Sequence, residues 1–433
     1  MYKIYFKQAW QMLMQNRFIS IIAILGTALA IMMILVIVMA DTVQNADAAP
    51  ESNRSRTLYI EFFAKRDTTR GALHMGTLPY SLVKEYLLNL KTPELVTFVN
   101  EARYDSRDYC IINRQGADNS FDAMTRMTND AYWKLMNFSF VSGRPFSKEE
   151  YDAGQYCRTV YCPYAVISQS LATKLFPGED ATGKTVDLKF VPFRIVGVVK
   201  DVSPVFKEAA GDVWVPITAQ EDYTEKQLIA MLRLRDKEDY PALLREIDEA
   251  ERRFNLANKP WTLSLNAPYS HRTHTMGVDR YVSEKERQQA IRTKYRKSAI
   301  ILLVLLLVPA VNLTGFSLSR MRKRMSEIGI RKAFGAKRHV ILFQVLYENM
   351  LTSLIGGLLG LILSYPMVLW LRHWLLGIPP GGEVPAGTML PLPVFLMTFL
   401  VCILLNLLSA GIPAYRAAKM SIVDSLYQND QRS

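Results

Sequence analysis

Apolar residues run almost unbroken in four places along the chain, at 18–40, 298–319, 349–371 and 392–414. An α-helix needs about 20 such residues to cross a bilayer, so the pattern predicts four transmembrane helices. Residues 2–16 read differently. Tyr2, Phe6, Ala9 and Leu13 make one stripe and Lys3, Lys7 and Gln11 another, the pattern of a helix lying along a membrane surface. The first apolar run could be taken for a signal peptide, because Ala46, Asp47 and Ala48 resemble a cleavage site. Its apolar core is too long for one, which favours an uncleaved anchor.

Between the first two runs the pattern shortens and alternates. Residues 57–63, 109–113, 193–199, 213–217, 230–235 and 261–266 read as strands, with 193–199 (FRIVGVV) rich in β-branched residues. Residues 80–90, 129–138 and 168–176 carry helical spacing, and 241–254 reads as a charged helix with Pro241 in its first turn. Residues 282–297 are polar and helical and are expected to run straight into the second span as a stalk. The fold class that follows is a membrane protein: four transmembrane α-helices with a large α+β domain inserted between helices 1 and 2. Its expected organisation is an amphipathic surface helix (1–17), helix 1 (18–40), the α+β domain and stalk (41–297) and helix 2 (298–319). A connector (320–340), an amphipathic lead-in with helix 3 (341–371), a short loop (372–391), helix 4 (392–414) and a tail (415–433) complete it.

Charge orients this arrangement. Lys3, Lys7 and Arg17 precede the first span, eight basic residues between Arg320 and Arg338 join the second to the third, and Arg416 and Lys419 follow the fourth. All fall on one side of a four-span chain, which places both termini and the connector in the cytoplasm and the large domain outside. Arg292, Lys294, Arg296 and Lys297 run against that rule, as charges near long translocated domains are free to do. The chain has 433 residues, 50% hydrophobic, with a formal net charge of +12. Much of the excess sits beside apolar runs, which points to a membrane boundary and membrane lipids and not to nucleic acid.

Few motifs suggest chemistry. Residues 178–185 (GEDATGKT) match the phosphate-loop pattern letter for letter, but a helix is expected before them and a strand after them, the reverse of a phosphate loop. His271 and His274 are three apart; with no acidic cluster or cysteine close in sequence and Pro268 nearby, they read as exposed loop residues. No catalytic residue, metal ligand or cofactor-binding residue is assigned. The expected spans carry no charge near their centres, which argues against a proton- or ion-coupled transporter. Asn312 and Asn406 are polar positions within spans, Gly356 and Gly360 fit a helix-packing motif, and Pro309, Pro366 and Pro413 fall inside apolar runs. Cys157 and Cys162 are candidates for a disulfide in an oxidising compartment.

The connector reads RMRKRMSEIGIRKAFGAKR. Glu327 and Arg331 form an i,i+4 pair, Ile330, Ala333 and Phe334 share a helical face, and Gly335 suits a helix end. Together with FSFVSGRPFS, AVISQSLATKLFP, GKTVDL, FRIVGVVKD and VWVPI in order, and the tail IPAYRAAKMSIVDSLY, it resembles the MacB/FtsX-type permeases of ATP-binding-cassette systems over nearly the whole chain. The resemblance implies a periplasmic core domain between spans 1 and 2, the bacterial inner membrane, and a dimer with a second copy or a paralogue. It implies no cofactor in this chain, with ATP bound by a separate cytoplasmic ABC ATPase. Relatives with their own nucleotide-binding domain place it ahead of the first span, where this chain has none. Lys337 stands where many relatives have Ser or Thr. The implied ATPase contact is Glu327, Ile328, Gly329, Ile330, Arg331, Lys332, Phe334, Gly335 and Ala336. Three functions follow from the resemblance: export of a peptide, antibiotic-like or lipid-linked substrate, with a periplasmic adaptor or outer-membrane channel as candidate partners; activation of a periplasmic hydrolase, as in FtsX-like members; or lipoprotein release.

Overall fold

The computed structural model describes residues 17–100, 109–117, 119–153, 163–220, 222–276, 284–323 and 338–376, together with scattered single positions that include Ile330, Ala333 and Phe334. The chain divides into two units, one of Met1–Val43, Tyr295–Leu376 and Ala386–Ser433, the other of Gln44–Lys294 and Gly377–Pro385.

Among the described residues, two helices are long and apolar enough to cross a membrane, within Ser20–Asn45 and Met350–Leu376. The first lies in α1 (Arg17–Asn45). Its neighbour in the first unit presents glycine where α1 comes close: a Cβ at Gly356 would sit 3.0 Å from the Ile24 carbonyl oxygen, and one at Gly360 would sit 2.7 Å from that of Ala28. Small residues allow this backbone approach, which van der Waals contact then stabilises. The expected stalk and second apolar run form one helix, Glu284–Lys323. The third run and its lead-in form another, Arg338–Leu376, with Pro366 inside it. Most of the fourth run lies outside the described residues.

The second unit is α+β. Strands β1 (Thr57–Ile60), β2 (Phe62–Asp67), β3 (Leu73–Pro79), β4 (Leu95–Asn100), β5 (Tyr109–Arg114) and β6 (Ser120–Thr128) come first. Then follow α2 (Tyr132–Leu135), β7 (Phe140–Gly143), β8 (Tyr164–Ser168), α3 (Gln169–Leu175), β9 (Thr185–Leu188), β10 (Val191–Val199) and β11 (Val213–Pro216). The series ends with β12 (Gln227–Arg233), α4 (Tyr240–Ala257), β13 (Trp261–Leu265), β14 (Tyr269–Ser270) and α5 (His271–Thr275). The two long helices already described are α6 (Glu284–Lys323) and α7 (Arg338–Leu376).

Strands β6, β5, β9, β10, β8 and β11 pair in that order, and β11 returns to pair with β6, so this lobe closes on itself. Its inside is filled by Ile112, Val186, Phe193, Ile195, Val213 and their neighbours. At its rim β7 crosses β10 so closely that a Cβ on Gly143, whose φ is +70°, would lie 2.1 Å from the Val196 carbonyl oxygen. Only glycine meets both demands. The other lobe centres on β12, flanked by β1 and β4, with α4 packed against β13. Leu243, Ile247, Ala250 and Phe254 of α4 recur at helical spacing and are buried, each large one contributing about 1.5–3 kcal/mol.

Three readings of the sequence need correction here. The single strand expected at 57–63 is broken at Glu61, because β1 pairs with β12 and β14 while β2 pairs with β3 and β13. The helix expected at 129–138 shrinks to α2, since Met136 turns to extended backbone. His271 and His274 are not loop residues: Ser270 accepts a hydrogen bond from the Thr273 N–H and starts α5, which carries His271 into the interior.

Candidate functional site

The described residues gather buried polar groups where the chain enters and leaves the second unit, between residues 44–56, 205–209, 266–276 and 284–294. All of the contacts below lie within that unit. Glu51 and Arg54 come first. They are one turn apart in sequence and fully buried, with Arg54 Nε donating to Glu51 Oε2 at 2.7 Å. The rest of the guanidinium is spent on backbone: Nη1 donates to the carbonyls of Gln44 (3.1 Å) and Ala46 (3.3 Å), and Nη2 to that of Val205 (2.8 Å). Its face lies 4.6 Å from the Phe206 ring centroid. Glu51 Oε1 accepts the backbone N–H groups of Glu208 (3.1 Å) and Ala209 (3.0 Å). One ion pair thus ties the last turn of α1 to a segment more than 150 residues away. Burial pushes the Glu51 carboxyl above its ordinary value, against the pull of Arg54. Burial, with the carboxylates of Glu208 and Glu51 nearby, raises the Tyr59 hydroxyl far above its own.

Residues 266–276 hold both ends of the unit. On one side His271 Nε2 lies 2.9 Å from the Gln44 carbonyl oxygen, to which it donates, and Thr275 Oγ1 donates to Asn45 Oδ1 at 2.8 Å. On the other, Arg287 in the first turn of α6 is buried and donates through Nη1 to the Ala267 carbonyl at 2.7 Å. Lys294 donates to the carbonyl of Met276. The segment is itself anchored, since Tyr269 stacks on Tyr59 and donates to Glu61 Oε2 at 2.8 Å. The contacts of His271, Thr275 and Arg287 are partly buried, a setting in which each hydrogen bond contributes about 0.5–1.5 kcal/mol.

The residues proposed from sequence fall elsewhere. Of the connector, Ile330, Ala333 and Phe334 are described: the Phe334 N–H donates to the Ile330 carbonyl at 3.0 Å, and both side chains are exposed, Ile330 by 50% and Phe334 by 89%. Glu327, Ile328, Gly329, Arg331, Lys332, Gly335 and Ala336 lie outside the described residues, as do Cys157 and Cys162. The GEDATGKT stretch follows α3 and leads into β9, and Lys184 pairs with Glu179 and lies 4.9 Å over the Phe176 ring. Helix, turn and strand come in the order opposite to a phosphate loop. The polar joint itself went unread in the sequence. Its nearest signal is the Glu51–Arg54 spacing just past an apolar run, which takes its meaning from distant partners.

Comparison with known proteins agrees with this architecture. A family model described as the MacB-like periplasmic core domain matches residues 20–250, and one described as the FtsX-like permease C-terminal matches residues 299–422. The chain is 25% identical over 313 residues to the uncharacterized ABC transporter permease YknZ of Bacillus subtilis, covering 70% of each chain. It is 25% identical over 299 residues to the macrolide export ATP-binding/permease protein MacB of Escherichia coli K12, covering 68% of this chain and 42% of that protein. The chain therefore spans less than half the length of that relative. The crystal structure of the periplasmic region of MacB from Actinobacillus actinomycetemcomitans aligns with a TM-score of 0.36 and 16% identity, over 53% of this chain and 95% of that one. The two family models together run from the first apolar helix to the tail, and on that ground the chain belongs to the family of MacB- and YknZ-like ABC transporter permeases, with a MacB-like periplasmic core domain followed by an FtsX-like C-terminal permease segment.

Proposed function

We propose that this permease passes mechanical work from a cytoplasmic ATPase to its periplasmic core domain. In this reading the chain crosses the bacterial inner membrane four times with both termini in the cytoplasm, works as a dimer with a second copy or a paralogue, and has no catalytic site of its own. ATP is bound and hydrolysed by a partner subunit. The connector from Glu327 to Ala336 receives the motion: Ile330 and Phe334 fill an apolar groove on the ATPase, while Arg331 and Lys332 steer and orient the contact.

The observation that carries the reading is the shared hold of residues 266–276 on the end of α1 and the start of α6. A domain fastened to both of its flanking helices by partly buried hydrogen bonds follows those helices when they move. The Escherichia coli relative is named for macrolide export, which favours efflux over activation of a periplasmic hydrolase or lipoprotein release.

The test is a double variant, Ile330→Asp with Phe334→Asp, expressed with the ATPase found by pull-down from membranes. The expected result is loss of co-purification and of ATPase stimulation, with the chain still inserted in the membrane. Normal co-purification with normal stimulation overturns the assignment of the connector.

A further inference from the structure

Behind the joint lies a group of side chains that the mechanical reading does not use. One carboxylate oxygen each from Glu51 and Glu208 and one ring nitrogen of His271 lie within 4.8 Å of one another. Sequence separates them widely. The fold brings them together, and Glu208 and His271 are only 4% and 3% exposed. Their bonding is incomplete in a specific way. His271 Nε2 faces the Gln44 carbonyl, which can only accept, so the ring proton sits there and Nδ1 is left with its lone pair. Among the described residues, Nδ1 has no hydrogen-bond partner, and neither does Glu208 Oε2, although both are buried. Buried polar atoms of this kind cost stability unless something meets them.

We propose that Glu51, Glu208 and His271 bind a divalent cation, and that Zn2+ is the ion that fits them. Two carboxylates and an imidazole are donors that zinc accepts. The histidine is prepared as zinc-binding histidines are, with its other ring nitrogen fixed by a backbone carbonyl. Glu51 is oriented in the same manner by Arg54 and two backbone N–H groups. His274, one turn along α5, has Nδ1 3.8 Å from Glu208 Oε1 and stands nearest to supply a fourth donor. Charge favours a cation: two carboxylates, Glu51 and Glu208, face the single guanidinium of Arg54 in a buried space. The donors must draw together, since ligands at about 2.0 Å from zinc lie closer to one another than 4.8 Å. Side-chain rotation of Glu208 and His271 supplies that change. A bound ion would cross-link residues 51, 208 and 271 and stiffen the hold on the end of α1. The inference rests on these side chains and not on the transport reading, so either can fail alone.

The experiment uses the full chain in detergent, stripped with chelator and titrated with ZnCl2, with bound metal measured by mass spectrometry. The expected result is one zinc per chain and a melting temperature raised by zinc. Glu208→Gln, which keeps size and shape, is expected to weaken binding about 100-fold or more, since loss of a supporting contact alone costs 10–100-fold. Cobalt added to the wild type should give the visible absorption of a four-coordinate site, a readout that holds even if the variant fails to fold. Zinc binding equally tight in Glu208→Gln overturns the proposal. So does a wild type that takes up neither metal, or whose melting temperature changes with pH but not with zinc.

Discussion

Arg287 Nη1 lies 2.7 Å from the carbonyl oxygen of Ala267, a partly buried hydrogen bond that ties the first turn of α6 to the segment before it. Hydrogen bonds to charged groups contribute about 1.5–3 kcal/mol. Arg287→Ala should therefore loosen the first turn of α6, seen as faster amide exchange at 284–290. If motion passes through this joint, the variant still binds the ATPase but loses coupling between ATP hydrolysis and substrate release. Full coupling together with the faster exchange would show that the joint does not transmit.

The Glu51–Arg54 pair should behave as a unit. Arg54→Ala leaves a buried carboxylate without its partner and is expected to cost about 3–5 kcal/mol. The double variant Glu51→Gln, Arg54→Met removes both charges and should cost less than the single change. Denaturant unfolding of the four members of the cycle measures the coupling, and additive effects would contradict the buried geometry.

Gly360 and Gly411 make a matched pair. A Cβ at Gly360 meets the Ala28 carbonyl oxygen at 2.7 Å, while one at Gly411 meets nothing within 4 Å among the described residues. Gly360→Val should destabilise the packing of α7 on α1 by about 1–3 kcal/mol, the usual cost of overpacking. Gly411→Ala should be close to neutral. Thermal denaturation in detergent with tryptophan fluorescence compares the two.

Asp212 and Glu251 carry carboxyls raised above their ordinary value, chiefly by burial. Each also accepts a backbone N–H, Asp212 from Met124 and Glu251 from Leu265, which opposes the shift without cancelling it. A group that binds its proton more tightly when folded contributes stability at low pH and loses it as pH rises through the raised value. Asp212→Asn and Glu251→Gln should each flatten that loss as pH rises above the ordinary carboxylate range. Unfolding midpoints of wild type and variants over that rise in pH decide it, and parallel pH profiles would count against the assignment.

The sequence was most legible where one residue pattern decides one element. The helical spacing of 168–176 predicts α3, and the β-branched run at 193–199 predicts the heart of β10. It was least legible where partners are distant. Glu61 looks like an ordinary polar position in a strand, yet the chain changes sheet partners there and the carboxylate accepts from Tyr269, 208 residues on. His271 and His274 look solvent-exposed because the acidic groups facing them are 63 or more positions away, at Glu208 and Glu51. Strands β4 and β6 do not alternate cleanly, since their inner positions are buried on both faces. The connector shows the opposite case: its pattern was plain, and its proposed partner is another polypeptide.

In the proposed mechanical reading, the unbroken course of α6 from Glu284 into its apolar stretch serves as a lever. From Glu284 to Pro309 the helix rises roughly 37 Å. A tilt of about 5° at one end of such a rod displaces the other by ~3 Å, comparable to a hydrogen-bond length. Pro309 withholds one N–H from the helical ladder, so bending concentrates there and the arm ahead of it stays stiff. Under the proposed mechanical coupling, the pivot falls inside the apolar stretch and the load falls on Arg287.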